Sequence, residues 1–166
     1  IIVIIMNKKV LVIMDPIESI NIEKDTTYQL MLSAQNIGHE LYYLMPGTLA
    51  IKSLEPVGMA ARIKITKDKI PFYNLSDKSD FILSDFDYIL MRQDPPVDNN
   101  YIYKTYILDL IKNYETKVIN TGYSLRNYNE KLIILNFPEH IPDTIVTSDK
   151  KNLENFKKNH KKIILK

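Results

Sequence analysis

The side chains best suited to chemistry lie in two polar segments that each follow an apolar run. Residues 15–21 (D-P-I-E-S-I-N) follow the apolar residues 10–14, and residues 92–96 (R-Q-D-P-P) follow residues 86–91. An arginine guanidinium can hold a carboxylate or a phosphate through two parallel hydrogen bonds. Consecutive prolines restrict the backbone after Arg92, so little conformational freedom would be lost on binding. We therefore predict that Arg92 binds an anionic group.

A second interpretation of Arg92 rests on the same residues. Its charge could pair with Asp94 or Asp98 and only fasten its own loop. Loops on a rigid scaffold often carry function, so the binding role has as much support as the structural one. Residue types and spacing therefore favour neither role over the other.

Other classes of chemistry are excluded or weakly supported. The chain has no cysteine, which excludes disulfides, thiolate zinc sites and cysteine nucleophiles. Four glycines form no phosphate-binding loop, and three histidines lack the spacing of metal ligands. The net charge of +2 gives no indication of a nucleic-acid or membrane partner, and the lysines of residues 150–166 are typical of a solvated helix face.

The first forty residues predict a βαβ unit. Residues 10–14 are an unbroken aliphatic run, typical of a buried parallel strand. Thr26 and Gln29 have the spacing of a capping box, and Gly38 stands where a helix would end. The predicted apolar face of that helix comprises Thr27, Leu30, Met31, Ala34 and Ile37. A strand over residues 39–44 completes the unit and opens a doubly wound α/β domain, in which ligands bind at the carboxyl ends of the strands.

The remaining elements are predicted from patterns of different strength. Residues 46–79 indicate short edge strands and a loop, and residues 86–91 a strong strand. A helix with Tyr103, Ile107, Leu110 and Ile111 on one face follows, then a short strand. That short strand is predicted over residues 117–120, and a helix over residues 124–136 follows it. Further along the chain, the sequence predicts a helix capped by Asp149 and reaching Asn159, and then a last strand over residues 162–165.

The first residues do not have the pattern of a targeting segment. Residues 1–6 are apolar, but Asn7 and two lysines interrupt the run well before the length of about 20 that a membrane span needs. We expect Met6 to be the true start, residues 1–5 to be an upstream extension, and the protein to be cytoplasmic.

Several ordered motifs resemble the prokaryotic glutathione synthetase family, whose members are ATP-grasp enzymes. The strongest are V-L-V-I-M-D-P-I-E-S-I-N-I-E-K-D-T-T, I-L-M-R-Q-D-P-P-V-D, S-L-R-N-Y-N-E-K-L and the closing I-I-L-K. Weaker matches keep the same order and spacing, so the resemblance covers residues 6–166. They are A-Q-N-I-G-H-E-L-Y-Y, Y-I-Y-K-T-Y-I-L and P-D-T-I-V-T.

The resemblance implies an α/β fold with two parts. A preATP-grasp domain, a Rossmann-like and mostly parallel sheet with flanking helices, would occupy residues 6–122. A linker helix would span residues 123–141, and residues 142–166 would be the incomplete start of an ATP-grasp domain.

The implied activity is the ATP-dependent ligation of γ-glutamylcysteine and glycine through an acyl phosphate, giving glutathione, ADP and phosphate. By resemblance Arg92, Ser19, Ile20 and Asn21 would bind the dipeptide. Lys131 and Lys166 would reach the ATP phosphates. The Mg²⁺ or Mn²⁺ ligands and the phosphate-covering loop would belong to the other half of the enzyme. We therefore expect no catalytic or metal-ligating residue in these 166 residues, no activity from them alone, and a homo-oligomer as the whole enzyme.

Two departures from the family pattern stand near the motifs. Gln93 takes the place of a usual lysine, so one cation is lost beside the substrate loop, and Thr121 and Gly122 replace a basic residue and a proline, which should loosen that turn. Two alternatives to a glutathione synthetase stay open. One is another ATP-grasp carboxylate–amine ligase, and the other is a non-catalytic remnant or interaction domain from a truncated gene.

Overall fold

The computed structural model describes residues 7–67, 70–111 and 115–165. The predicted extension over residues 1–5, the start at Met6 and the side chain of Lys166 lie outside these ranges. Contacts along the backbone divide the chain into two compact units, Ile1–Asn127 and Tyr128–Lys166.

The first unit is built on a mixed sheet that has eight strands within the described ranges. The central strands β2, β1, β7 and β8 run parallel, and β3, β5 and β6 pair antiparallel with β4, which in turn pairs with β2. Among the described residues, three helices belong to this unit and a fourth to the second. The strands are β1 (Lys9–Ile13), β2 (Glu40–Leu44), β3 (Ala50–Lys52), β4 (Glu55–Ile65), β5 (Tyr73–Leu75), β6 (Ser79–Ile82), β7 (Tyr88–Met91) and β8 (Lys117–Ile119). The helices are α1 (Thr26–Asn36), α2 (Asn99–Asp109), α3 (Gly122–Asn127) and α4 (Lys150–Lys158).

The predicted α/β class with a mostly parallel sheet and flanking helices is confirmed. Strand β1 is buried on both faces, as its continuous aliphatic run indicated. Val10 and Val12 join the core that contains Met31 of α1, and Leu11 and Ile13 join the core on the opposite face. That opposite core contains Tyr101 and Leu108 of α2, so the unit has three layers.

Helix α1 confirms the βαβ unit but corrects its cap and its face. The cap is Asp25, whose carboxylate accepts a hydrogen bond from the backbone N–H of Tyr28 at 3.0 Å, rather than Thr26. Gly38 ends the helix as predicted, with φ at +93°. Leu30 and Ile37 are exposed, because the side chains that α1 buries are Thr27, Tyr28 and Met31.

Strand β4 corrects the prediction of short edge strands in residues 46–79. It is eleven residues long and pairs with four other strands. Its buried positions are even-numbered as far as Ala60 and odd-numbered from Ala61 onward. Ala60 packs in the core beside α2, whereas Ile63 and Ile65 pack in the core beside α1. The sequence lacks a single alternating period because the strand is buried first on one face and then on the other.

Helix α2 also buries a different face from the predicted one. Tyr101, Thr105 and Leu108 are buried, whereas Tyr103 is 67% exposed. The Asp98 carboxylate caps the helix by accepting from the backbone N–H of Tyr101 at 2.8 Å. The predicted stripe was wrong because apolar residue types alone did not reveal that α2 buries a threonine.

The segments after β8 contain two further corrections and one confirmation. Helix α3 ends at Asn127, so the single helix predicted over residues 124–136 is wrong. The Asn129 side-chain oxygen accepts from the backbone N–H of Lys131 at 2.8 Å, and a short 3-10 turn follows at Ile133–Asn136. Residues 162–165 form no strand within the described part of the chain. The helix capped by Asp149 is confirmed as α4.

Candidate functional site

The carboxyl edge of the parallel strands brings the two polar segments together. The backbone N–H of Arg92 donates to Ile13 O at 2.7 Å, which extends the β1–β7 pairing by one residue. Beyond it, the backbone N–H of Asp94 donates to the Asp15 carboxylate at 2.8 Å. Both polar segments therefore lie at one edge of the sheet.

The Arg92 guanidinium is oriented by α1 rather than by its own loop. Its Nε donates to Thr27 Oγ1 at 3.0 Å, and Thr27 is buried on the first turn of the helix. Among the described residues Arg92 makes no ion pair, and its two Nη atoms have no hydrogen-bond acceptor. The predicted alternative of a salt bridge to Asp94 or Asp98 is not formed there. Arg92 therefore has donors to offer to a ligand.

The loop after β1 is shaped by contacts that begin with Ile17. Ile17 is buried, and its backbone N–H donates to the Tyr43 hydroxyl at 3.3 Å. The Tyr73 hydroxyl donates to the Glu18 carboxylate at 2.8 Å, and this hydrogen bond raises the pKa of Tyr73. Burial raises the pKa of Tyr43, so both hydroxyls stay protonated near neutral pH.

Ser19, Ile20 and Asn21 lie on this loop with different exposures. Ser19 is exposed and its hydroxyl donates to Pro16 O at 2.6 Å, whereas Ile20 is half-buried. Asn21 is exposed, and its side-chain oxygen accepts from the backbone N–H of Glu23 at 3.1 Å. The Asn21 amide nitrogen has no partner among the described residues, so it can donate to a ligand. The predicted binding roles of these three residues remain predictions.

Helix α2 adds residues at the same edge that the sequence did not predict. Lys104 Nζ donates to the Gln93 side-chain oxygen at 3.1 Å, and both residues are half-buried. Tyr101 is only 5% exposed, and its hydroxyl has no partner within the described ranges. Burial raises the pKa of Tyr101, and the negative charges of Asp15 and Asp94 raise it further. The three-residue spacing of Tyr101 and Lys104 places both side chains on one face of a helix, and this spacing was the available signal in the sequence. It was missed because a lysine within an apolar helical pattern is normally interpreted as an exposed residue.

Lys131, the first predicted ATP ligand, belongs to the second unit. Its ammonium lies 2.5 Å from the Glu130 carboxylate, and this hydrogen bond lowers the pKa of Glu130. Both side chains are exposed, so the pair can open to another anion at little expense in free energy. The second predicted ATP ligand, Lys166, is not among the described residues.

The described part of the chain contains no cluster of three or more His, Asp or Glu residues that could hold a metal ion. Within the same residues, no helix combines the length and the apolar character that crossing a bilayer requires.

Comparison with known proteins identifies the family of this site. Residues 8–126 match the model of the prokaryotic glutathione synthetase N-terminal domain, and they include both loops and α2. The chain belongs to the prokaryotic glutathione synthetase family. Residues 130–166 match the ATP-grasp domain of prokaryotic glutathione synthetase and include Lys131.

Relatives named glutathione synthetase support the same assignment. The chain is 41% identical over 156 residues to that of Buchnera aphidicola subsp. Baizongia pistaciae, covering 93% of this chain and 48% of the relative. It is 42% identical over 155 residues to that of Yersinia pestis, covering 93% of this chain and 49% of the relative. For the Coxiella burnetii protein the identity is 40% over 161 residues, with 97% of this chain and 50% of the relative covered. The chain thus spans about half the length of these glutathione synthetases.

Proposed function

We propose that this chain is the dipeptide-binding part of a glutathione synthetase. The complete enzyme would join γ-glutamylcysteine to glycine through an acyl phosphate, with ATP converted to ADP and phosphate. The observation that carries the proposal is the Arg92 guanidinium, which is held at Nε by Thr27 and has Nη atoms without an acceptor among the described residues, at the carboxyl edge of the sheet. It lies within the region that matches the N-terminal domain of this family.

The geometry of Arg92 suits a carboxylate of the dipeptide. A guanidinium fixed through Nε presents its remaining N–H groups in one plane, which matches the two oxygens of a carboxylate. The loop that carries Ser19, Ile20 and Asn21 is braced by Tyr43 and Tyr73, so little ordering is left for the moment of binding. We propose that these three residues line the dipeptide site.

The nucleotide role is proposed for Lys131 and Lys166. An exposed ammonium can leave a neighbouring carboxylate for a phosphate, and phosphoryl transfer depends mainly on positioning and charge neutralisation. The described residues offer no fitting set of Mg²⁺ or Mn²⁺ ligands. We also propose a cytoplasmic location, a homo-oligomeric enzyme, and the division into residues 6–122, 123–141 and 142–166. The change between the two family matches after residue 126 supports a boundary in the middle segment.

Calorimetric titration of this chain with γ-glutamylcysteine tests the proposal. We expect saturable binding that Arg92→Ala weakens roughly ten- to hundredfold, since a hydrogen-bonded charge contributes about 1.5–3 kcal/mol. Arg62→Ala is the matched control, because Arg62 is an exposed arginine of β4 paired with Glu40 at 3.4 Å. It should leave the affinity unchanged.

Two results would contradict this proposal. One is the absence of dipeptide binding to a chain whose circular dichroism and urea unfolding show an intact fold. The other is equal affinity of the wild-type chain and Arg92→Ala, which would return Arg92 to a purely structural role.

A further inference from the structure

The carboxyl edge of the sheet holds opposite charges that lie near one another without pairing. Lys104 bonds to the neutral amide of Gln93 and makes no ion pair among the described residues. The next residue after Gln93, Asp94, is exposed, and its carboxylate has no partner in the described ranges. Asp15 accepts only from the backbone N–H of Asp94 within those ranges. A cation and two carboxylates are thus available to meet charges on a ligand.

Two neutral groups at the same edge also lack partners. The Gln93 amide nitrogen has none among the described residues, because Lys104 bonds to the oxygen of that amide. The Tyr101 hydroxyl is likewise unpartnered there, on a side chain that is only 5% exposed. Neither group is buried away from solvent, because the buried side-chain atom without a partner among the described residues is His39 Nδ1. Both can therefore bond to a ligand that enters this edge.

This pattern of charges complements a free α-amino-acid group, which carries a carboxylate and an ammonium on one carbon. In γ-glutamylcysteine only the glutamyl end has both. The cysteinyl carboxylate has no neighbouring ammonium, so it does not match this pattern and stays available to Arg92.

We propose that Lys104 and Gln93 bind the glutamyl α-carboxylate and that Asp94 binds the glutamyl α-ammonium, so that this edge selects γ-linked dipeptides. An α-linked glutamyl peptide has its α-carboxylate consumed in the peptide bond, and its remaining side-chain carboxylate is not on the carbon that carries the ammonium. The inference rests on the proposed function and adds to it the end of the substrate that this edge recognises. Lys104 would thereby supply the positive charge beside the substrate loop that the neutral side chain of Gln93 does not provide.

A double-mutant cycle between protein and ligand tests the inference. The wild-type chain and Lys104→Met are titrated with γ-glutamylcysteine and with 4-aminobutanoyl-cysteine, which lacks only the α-carboxylate. We expect Lys104→Met to weaken γ-glutamylcysteine about tenfold and to leave the truncated ligand unchanged. Gln93→Leu provides an independent second variant with the same expected pattern. Lys64→Met, at an exposed lysine of β4, is the matched control and should change neither affinity.

The ammonium side of the cycle uses glutaryl-cysteine, which lacks only the α-amino group. Asp94→Asn should weaken γ-glutamylcysteine several-fold and leave glutaryl-cysteine unchanged, because the lost charge then has no counterpart.

The outcomes separate this inference from the proposed function. Loss of γ-glutamylcysteine binding on Arg92→Ala but not on Lys104→Met would overturn the inference alone. An equal loss of both ligands on Lys104→Met would also overturn it, since Lys104 would then act on something other than the α-carboxylate. If the folded wild-type chain binds neither ligand, the proposed function and the inference fall together.

Discussion

Thr27 orients the guanidinium of Arg92. Its hydroxyl oxygen accepts the Nε hydrogen bond at 3.0 Å, and the side chain is only 4% exposed on the first turn of α1. Because Thr27 is buried on a helix, its hydroxyl cannot move with the Arg92 guanidinium. The hydrogen bond is therefore lost if the guanidinium turns away. The direction of the Nη atoms is therefore set by α1, 65 residues away along the chain.

Thr27→Val should weaken γ-glutamylcysteine binding roughly fivefold without removing it. Valine keeps the shape of threonine but deletes the acceptor, and a typical hydrogen bond contributes about 1 kcal/mol. Calorimetry on the variant measures the change, with Thr66→Val just after β4 as a control that should have no effect. An unchanged affinity for Thr27→Val would show that Thr27 does not orient Arg92.

The proposed ATP contact of Lys131 belongs to the second unit. The structure pairs Lys131 with its neighbour Glu130, a contact that the sequence allows for any exposed Glu-Lys pair. Its role toward the nucleotide stays a prediction.

At the scale of elements, α3 is fastened to α2 through Arg126 and Gly122. Arg126 donates to Thr105 Oγ1 at 2.9 Å, bonds to the Asp109 carboxylate and lies over the Tyr106 ring at 4.3 Å. Gly122 is buried against the same helix, where an added Cβ would overlap the Thr105 carbonyl oxygen. The turn that Thr121 and Gly122 were expected to loosen is therefore tightly packed, and the Thr121 hydroxyl oxygen accepts from the backbone N–H of Ser124 at 3.1 Å.

Gly122→Ala should lower the free energy of unfolding by about 1–3 kcal/mol, because the added methyl group forces the helices apart. Urea denaturation followed by circular dichroism measures the change. Gly47→Ala serves as the matched control, since a methyl group added at Gly47 would have no neighbour within 4 Å. Equal stability of the two variants would contradict the close approach of α3 to α2.

At the scale of the whole chain, the two units differ in how much they bury. The first unit holds both hydrophobic cores, one on each face of the sheet. In the second unit, the 3-10 turns at Ile133–Asn136 and Pro138–His140 and helix α4 contain no buried residue within the described ranges. Secondary structure without burial opens easily, because local opening then exposes little apolar surface.

Hydrogen exchange should therefore proceed at different rates in the two units. We expect the amides of β1, β2 and β7 to exchange slowly and those of residues 144–165 to exchange much faster, as followed by mass spectrometry of peptic fragments. Helix α2 is the internal control, because it is a helix of similar length to α4 that buries Tyr101, Thr105 and Leu108. Uniform protection through the last residues would contradict this division.

The sequence by itself determined the βαβ opening, the two polar loops at one edge of the sheet and the family. The aliphatic run of β1 and Gly38 after α1 are local signals, and parallel strands place their following loops at the same edge whatever the rest of the chain does. The motifs that carry the family resemblance are likewise short and contiguous.

Only the tertiary structure decided which partners the candidate residues have and which faces are buried. Arg92 could have paired with Asp94 or Asp98, which are near in sequence, but it bonds to Thr27 from a distant helix. Strand β4 changes its buried face at Ala60 and Ala61 because two different cores pack against it. Periodicity reports burial on a single face, and spacing reports only neighbours along the chain. Contacts between distant elements depend on how those elements pack, and no local pattern encodes that.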